Sequence, residues 1–245
     1  MISVKNVTKK FGKIAVLNDL TFSLAKGEGL ALLGLSGSGK TTILKILCGL
    51  QYPDEGHVLV DGLLLGPQHL FQIRKKLGYV IQDGGLFPHL TALENIKLVG
   101  AEAGLSQEQI EARIHELARL TRLSEDLLMR YPRELSGGQR QRIGIMRALF
   151  LDPEVLLLDE PLGALDPITR HELQLELKEL FKKLHKTFIL VTHDLNEATI
   201  LADRIILLAD GKVVQEGTMK DLMMNPATEF VRKFILAQSS PLEAL

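Results

Sequence analysis

Cysteine occurs once in the 245 residues, as Cys48. No internal disulfide can form, and a reducing cytoplasm is the expected compartment. Long hydrophobic runs are missing too. No stretch approaches ~18 uncharged apolar residues, and no N-terminal secretory pattern appears, so a membrane role must come through a partner. Charge of one sign is also lacking: Lys+Arg number 29 against Asp+Glu 30, a net charge of −1. That balance offers no global attraction to nucleic acid. Arg133, Arg140, Arg142 and Arg147 cluster locally and read as a solvated helix face. Internal repeats, low-complexity tracts and a Pro/Ser-rich linker are absent, and the length suits one α/β domain or two small ones.

What is present centres on residues 34–42, GLSGSGKTT. Gly34, Gly39, Lys40 and Thr41 fit the phosphate-loop spacing G-x-x-x-x-G-K-[ST]. Chance places four such residues in roughly one chain of this length in a hundred. The apolar run Leu30–Leu33 precedes the loop, and TTILKILCGL follows with helical spacing, the strand-loop-helix context the motif requires. Glycines let the backbone curl until its N–H groups face a phosphate at the positive end of a helix. Lys40 would reach the β- and γ-phosphates, and the Thr41 hydroxyl would hold Mg²⁺. Cys48 falls in the following helix as a small buried residue.

Taken in order, Ile2–Thr8 reads as a strand, and Leu20, Phe22 and Leu24 alternate with polar partners in a second. Phe11 falls between them on an expected loop, either a core aromatic or a flat ring under an adenine base. Gly49 is expected to stop the phosphate-loop helix, and PDEG at 53–56 turns the chain into a hairpin strand, HVLVDG. A short helix over 68–76 and a buried strand over 77–82, LGYVIQ, lead into DGGLFPHLT. Leu86 and Phe87 there are apolar residues on an exposed loop, either a contact surface or folded back. From Thr91 to Arg130 the signal is helical, with a capping box at Ser106 and Gln109 and a face of Ile110, Ile114, Leu117 and Leu120.

Ser136 is a suitable N-cap for the helix QRQRIGIMRALF, and Gly137 and Gly138 leave N–H groups exposed to an anion. Val155–Leu158 reads as a parallel strand covered on both faces and ends in Asp159 and Glu160. Asp166–Pro167 starts a helix that turns Leu173, Leu177, Leu180 and Leu184 inward. TFILVTH at 187–193 is another buried strand, Asp194 caps a short helix, and DRIILLADG with KVVQEG forms a hairpin. A helix from Pro226 to about Gln238 closes the fold, followed by a frayed tail, SSPLEAL.

Strands thus end in the phosphate loop, in Gln82, in Asp159–Glu160 and in His193. In an open parallel sheet, ligands sit beyond such ends. Phosphoryl transfer to water needs a phosphate cradle, a metal, a group to orient water and one to meet developing charge. Asp159 is the candidate metal partner and Glu160 the candidate general base.

These motifs together, GLSGSGKTT, Gln82, LSGGQ at 135–139, VLLLDE, ALD at 164–166 and His193, resemble the ordered set of ATP-binding cassette (ABC) transporter ATPases over nearly the whole chain. The resemblance implies a RecA-like phosphate-loop core with a parallel sheet, an N-terminal antiparallel β subdomain and an inserted helical subdomain. The expected division is about 1–90 and 150–225 for the core, 91–149 for the helical part, and 226–245 for a C-terminal helix and tail. It implies ATP bound through Gly34, Ser36, Gly37, Ser38, Gly39, Lys40, Thr41 and Thr42, with Phe11 under the adenine where a tyrosine is more usual. Mg²⁺ would be held by Thr41, Gln82 and Asp159. Glu160, His193, Gln82 and Lys40 would be catalytic. Ser136, Gly137, Gly138 and Gln139, with Asp166, would close on the nucleotide of a second copy.

Two copies, or this chain and a homologous ATPase subunit, would therefore dimerise head to tail. ATP closes the pair and hydrolysis reopens it. Membrane permease subunits would dock near residues 82–95, with an extracytoplasmic binding protein beyond them and this chain peripheral on the cytoplasmic face of the inner membrane. GALDPITR at 163–170 with VIQ and LFPHLT resembles most the ATPases of quaternary-amine (glycine betaine, choline) importers. Leu162 departs from the aromatic expected there, and polar amino-acid importers are the alternative. Many of the first group carry a regulatory extension; with the sequence ending at 245, that regulation is expected to be missing. A soluble ABC ATPase acting on ribosomes or DNA would bring two cassettes or a long coiled coil, and a phosphate-loop kinase would leave LSGGQ and His193 unexplained.

Overall fold

The computed structural model describes residues 1–238, so the expected tail at 239–245 lies outside the described residues. Contacts divide the chain into two compact units, residues 1–74 with 187–245, and residues 75–186.

The first unit opens with β1 (Ile2–Phe11), β2 (Ile14–Leu24), β3 (Gly29–Gly34), α1 (Lys40–Leu47), β4 (Glu55–Val60), β5 (Leu63–Leu64) and α2 (Leu70–Lys75). Four of these strands form an antiparallel sheet in the order β2-β1-β4-β5. Along β2, Leu20, Phe22 and Leu24 are buried while Thr21 and Ser23 face solvent, the period-2 pattern of a half-covered sheet. β1 runs past the expected Thr8 to Phe11, which pairs with Ile14 across a two-residue turn. Phe11 therefore ends a strand and does not lie on a loop. Register shifts between Val4 and Val7 and between Val7 and Lys9 break the alternation that would have revealed the strand's full length. At the end of α1, Gly49 N donates to Ile46 O at 2.8 Å and Leu50 N to Lys45 O at 2.8 Å, the pattern by which a left-handed glycine stops a helix.

The second unit carries β6 (Leu77–Val80), a 3₁₀ turn over Gln82–Gly85, α3 (Ala92–Glu102), α4 (Gln107–Leu120), α5 (Gly137–Leu149), β7 (Val155–Asp159) and α6 (Pro167–Lys183). β6 stops two residues before the expected Gln82. Asp83 and Gly84 take left-handed backbone angles, φ 56 and 76, which no strand accommodates. β6 and β7 run parallel, with Val80 beside Leu158. The Ser106–Gln109 capping box is formed in both directions, 2.9 and 3.3 Å. Ile110, Ile114 and Leu117 are buried on the inner face of α4, as are Leu173, Leu177 and Leu180 on α6, whereas Leu184 lies past the helix end and is only half-buried.

Back in the first unit, β8 (Thr187–Thr192), α7 (Leu195–Leu201), β9 (Arg204–Ala209), β10 (Lys212–Gly217), α8 (Met219–Met224) and α9 (Glu229–Gln238) complete the chain. β3 lies between β8 and β9, parallel to both, and β10 is antiparallel to β9. All six residues of β3 are buried, as are all six of β8, as expected for strands covered on both faces. Ala31 and Leu33 share a core with Leu195, Ile205, Leu222, Val231 and Phe234, so the C-terminal helices cover one face of this sheet. The closing helix begins at Glu229, not Pro226, and α8 precedes it, started by a Thr218–Asp221 capping box. Arg204 fastens β9 to the unit's edge: Nε donates to Glu28 Oε1 at 2.6 Å and Nη2 to Ser23 O at 2.5 Å, with Glu216 a further partner. Burial disfavours the Glu28 carboxylate, but the guanidinium and the Ala25 N–H outweigh it and hold its pKa below the usual range.

Candidate functional site

In the first unit, β3 delivers the chain at Gly34 and α1 starts at Lys40. Gly39 is the N-cap, with φ 98 and no side-chain cap. A Cβ there would lie 2.5 Å from Leu17 Cδ2 and 2.8 Å from Val16 O, so only glycine fits. The leading N–H groups of α1 and the positive end of its dipole are thus presented without a competing side chain, the arrangement that takes an anion. Lys40 is 4% exposed and reaches back across its own loop, donating to Gly34 O at 2.8 Å and Leu35 O at 2.9 Å. Ser36 and Gly37 are exposed, Ser38 is buried, and Thr41 and Thr42 are half-buried. A cavity of 840 Å³ opens beside Ser36, Gly37 and Ser38, with Asn18 and Lys212 on its wall, within the size range of small-ligand sites.

His193 follows β8, and Leu33 pairs with Thr192 in the parallel register. His193 and Gly34 therefore leave neighbouring strands at the same end. Phe11 is 47% exposed, with the Lys9 ammonium 5.7 Å from its ring centroid. The core-aromatic alternative falls, since a core ring would be covered.

In the second unit, Asp159 closes β7 and is buried, and the Tyr79 hydroxyl donates to its Oδ2 at 3.0 Å. Glu160 follows with φ 43. Most non-glycine residues with positive φ in this chain are Asp or Asn, whose short side chains tolerate that region, whereas an ordinary side chain pays of order 1 kcal/mol. A glutamate held there is a strained residue, and such strain gathers at functional positions. Gln82 is exposed and sits at the same end of the β6–β7 pair, in the turn that follows β6.

Ser136 caps α5 through a full capping box with Gln139, 3.3 Å for Gln139 N to Ser136 Oγ and 2.9 Å for Ser136 N to Gln139 Oε1. The Gln139 side chain is thereby held at the helix entrance. Asp166 caps α6 and accepts from Thr169 N at 3.1 Å. The Thr169 hydroxyl and N–H hold its carboxyl below the usual carboxylate range. Arg170 braces the preceding loop, donating to Leu162 O and Leu165 O at 3.3 and 2.8 Å.

The arginine cluster is not a solvated face. Arg140 donates to Leu135 O at 2.7 Å, Arg142 to Thr121 O at 2.8 Å, and Arg147 to Gly84 O and Gly85 O at 2.9 and 2.8 Å. Burial pushes the Arg147 guanidinium below its ordinary pKa. Arg133 is exposed, its guanidinium 5.9 Å from the Tyr131 ring. Carbonyls at loop and helix ends attract these side chains, and charge spacing along a helix cannot announce them. Sequence reasoning also missed Tyr79 and Asn95. Fully buried Asn95 accepts from Phe87 N at 2.8 Å and donates to Phe87 O, Leu90 O and Thr91 O at 2.9 to 3.1 Å. It moulds the loop that leaves Phe87 48% exposed. Among the described residues no helix is long and apolar enough to cross a membrane, and no group of three or more His, Cys, Asp or Glu side chains is placed to hold a metal.

A family profile described as "ABC transporter" matches residues 17–163. The chain is 48% identical to the choline transport ATP-binding protein OpuBA of Bacillus subtilis (strain 168), over 98% of this chain and 64% of that protein. It is 43% identical to the glycine betaine uptake system ATP-binding protein YehX of Escherichia coli (strain K12), over 96% of this chain and 76% of that one. It thus spans less than two thirds of the length of the choline relative. Among solved structures, the dimeric post-hydrolysis state of the ATP-binding cassette MJ0796 bound to ADP and Pi superposes with a TM-score of 0.80, at 39% identity, covering 89% of this chain and 99% of that one.

Proposed function

The chain belongs to the ABC transporter family, and on that premise we propose that it is the ATP-hydrolysing subunit of an importer for a quaternary amine. The observation that carries the reading is that one chain holds two helix starts suited to phosphate, Gly39 at α1 and Ser136 at α5. One triphosphate needs only the first. The second serves the nucleotide of another copy, so two chains close head to tail over ATP and separate after hydrolysis.

The roles follow residue by residue. Residues 34–42 cradle the phosphates, and Lys40 exchanges its contacts to Gly34 O and Leu35 O for phosphate oxygens. Phe11 stacks under the adenine. The Thr41 hydroxyl, the Gln82 amide and the Asp159 carboxylate are hard oxygen donors of the kind Mg²⁺ takes; the ion would neutralise developing phosphate charge. Tyr79 orients Asp159 for that task. Glu160 accepts the proton of the attacking water as its oxygen bonds the γ-phosphorus and the bond to the β–γ bridging oxygen breaks. His193 meets the charge that forms on the γ-phosphate. Ser136, Gly137, Gly138 and Gln139 of the second copy cover that phosphate, with Asp166 at the dimer contact. The regions about 1–90 and 150–225 supply the ATPase core and 91–149 the helical part, with α9 closing the described chain.

Permease subunits dock on residues 82–95, where Asn95 presents Phe87, and the chain is peripheral on the cytoplasmic face of the inner membrane. The cargo class rests on the choline and glycine betaine relatives. The test is recovery of the tagged chain from solubilised native membranes. Integral membrane subunits should come with it, and a quaternary-amine-binding protein should stimulate the assembly. Ribosomes or DNA in their place would overturn the reading.

A further inference from the structure

Gln82 opens a turn in which Asp83, Gly84 and Gly85 have φ 56, 76 and 53. Gly84 and Gly85 take this region freely, but a single backbone bond from within the turn, Gly84 N to Ile81 O at 3.0 Å, fastens it. The turn rests on α5 with no side chain between them: a Cβ on Gly144 would lie 2.8 Å from Gly84 Cα, and one on Gly84 2.7 Å from Arg140 O. Arg147, in the last turn of α5, closes the contact, with Nη2 donating to both Gly84 O and Gly85 O at 2.9 and 2.8 Å. A half-buried cation is costly unless it is hydrogen-bonded, and here the carbonyl dipoles of the turn supply the bonds. The cost of its burial and the fixing of the turn are therefore one arrangement.

We propose that Arg147 is a positioning residue for Gln82, locking the left-handed turn so that the Gln82 amide leaves the end of β6 in one place. This rests on the reading that Gln82 serves ATP hydrolysis. A misplacement of about 1 Å in such a group costs up to about 10²-fold in turnover. The proposed phosphate contacts are made by Lys40 and its loop, so loss of Arg147 should fall on turnover and not on nucleotide affinity.

The experiment compares MgATP turnover of the full chain with Arg147→Met, Arg147→Lys, Gln82→Ala and the Arg147→Met/Gln82→Ala double variant. Arg147→Met should lower kcat about 10–100-fold with KM changed less than about 2-fold. Arg147→Lys should recover part of the loss, its ammonium reaching one carbonyl. The double variant should be no slower than Gln82→Ala alone, because the two residues act in series. Amide exchange at residues 82–86 should quicken in Arg147→Met while α5 stays protected. Additive losses in the double variant, unchanged turnover in Arg147→Met, or lost protection throughout α5 would each overturn the proposal. Full turnover in Gln82→Ala would instead remove the premise about Gln82, and the proposal with it.

Discussion

At the scale of single residues, Lys40 carries the proposed phosphate contact. Its ammonium is buried among its own carbonyls, Gly34 O and Leu35 O, with Ser38 Oγ at 3.5 Å. Removing it has two effects in one direction: the phosphate loses a charge-assisted partner, and two carbonyls that shape the loop lose their donor. A hydrogen bond to a charged group contributes about 1.5–3 kcal/mol, which converts to about 10–100-fold in affinity. Lys40→Ala should therefore weaken ATP binding by about that factor in titration calorimetry. Lys40→Arg should do little better, since a planar fork does not fit a pocket shaped for a compact ammonium. Unchanged affinity in Lys40→Ala would remove the lysine from the phosphate contact.

At the scale of elements, capping decides where helices start, and it also decided what was legible. Ser106, Ser136, Asp166 and Asp194 were readable as N-caps because each side chain bonds a backbone N–H only two or three residues on. The short α8 was missed although Thr218 and Asp221 form the same device, because six residues give no apolar period to follow. The Gln82 turn and Arg147, which anchors it, are 62 and 63 positions apart, and Arg142 reaches Thr121 O across 21, separations that no local pattern encodes. Asp166 offers a test. Its folded pKa lies below its unfolded value, so its contribution is present above the ordinary aspartate range, near pH 4, and is lost as pH falls through the depressed value. At pH 6, Asp166→Ala should melt about 2–4 °C below the parent chain, and Asp166→Asn, itself a good cap, close to it. Below about pH 4 the gap between parent and Asp166→Ala should narrow, as thermal melts across pH 3–6 would show. A gap that stays constant would mean the carboxylate does not cap α6 in solution.

At the scale of the whole molecule, the proposed function sets each nucleotide between the phosphate loop of one copy and the Ser136 helix start of another. The capping box at Ser136 holds Gln139 at the mouth of α5, and Gly137 and Gly138 let Leu165 and Thr169 pack close, 2.9 Å from where a Cβ would stand. On the proposed function, a second copy with ATP on its own Lys40 loop brings a phosphate to this helix start. Closure should therefore require nucleotide, and cleavage should end it, because ADP no longer presents the γ-phosphate that joins the copies. Slowing the chemical step without touching either phosphate site must then accumulate the closed pair. If Glu160 is the base, as proposed, Glu160→Gln does this: the amide keeps the shape of the side chain but cannot accept the proton of water, a loss of about 10²–10⁴-fold for a general base. In sedimentation velocity the variant should run as a monomer without nucleotide and as a dimer with saturating MgATP, while the parent chain returns to monomer as ATP is consumed. Near-normal hydrolysis by Glu160→Gln would place the base elsewhere. A strictly monomeric variant under saturating MgATP, alone and beside the proposed membrane subunits, would leave the Ser136 helix without a phosphate to meet.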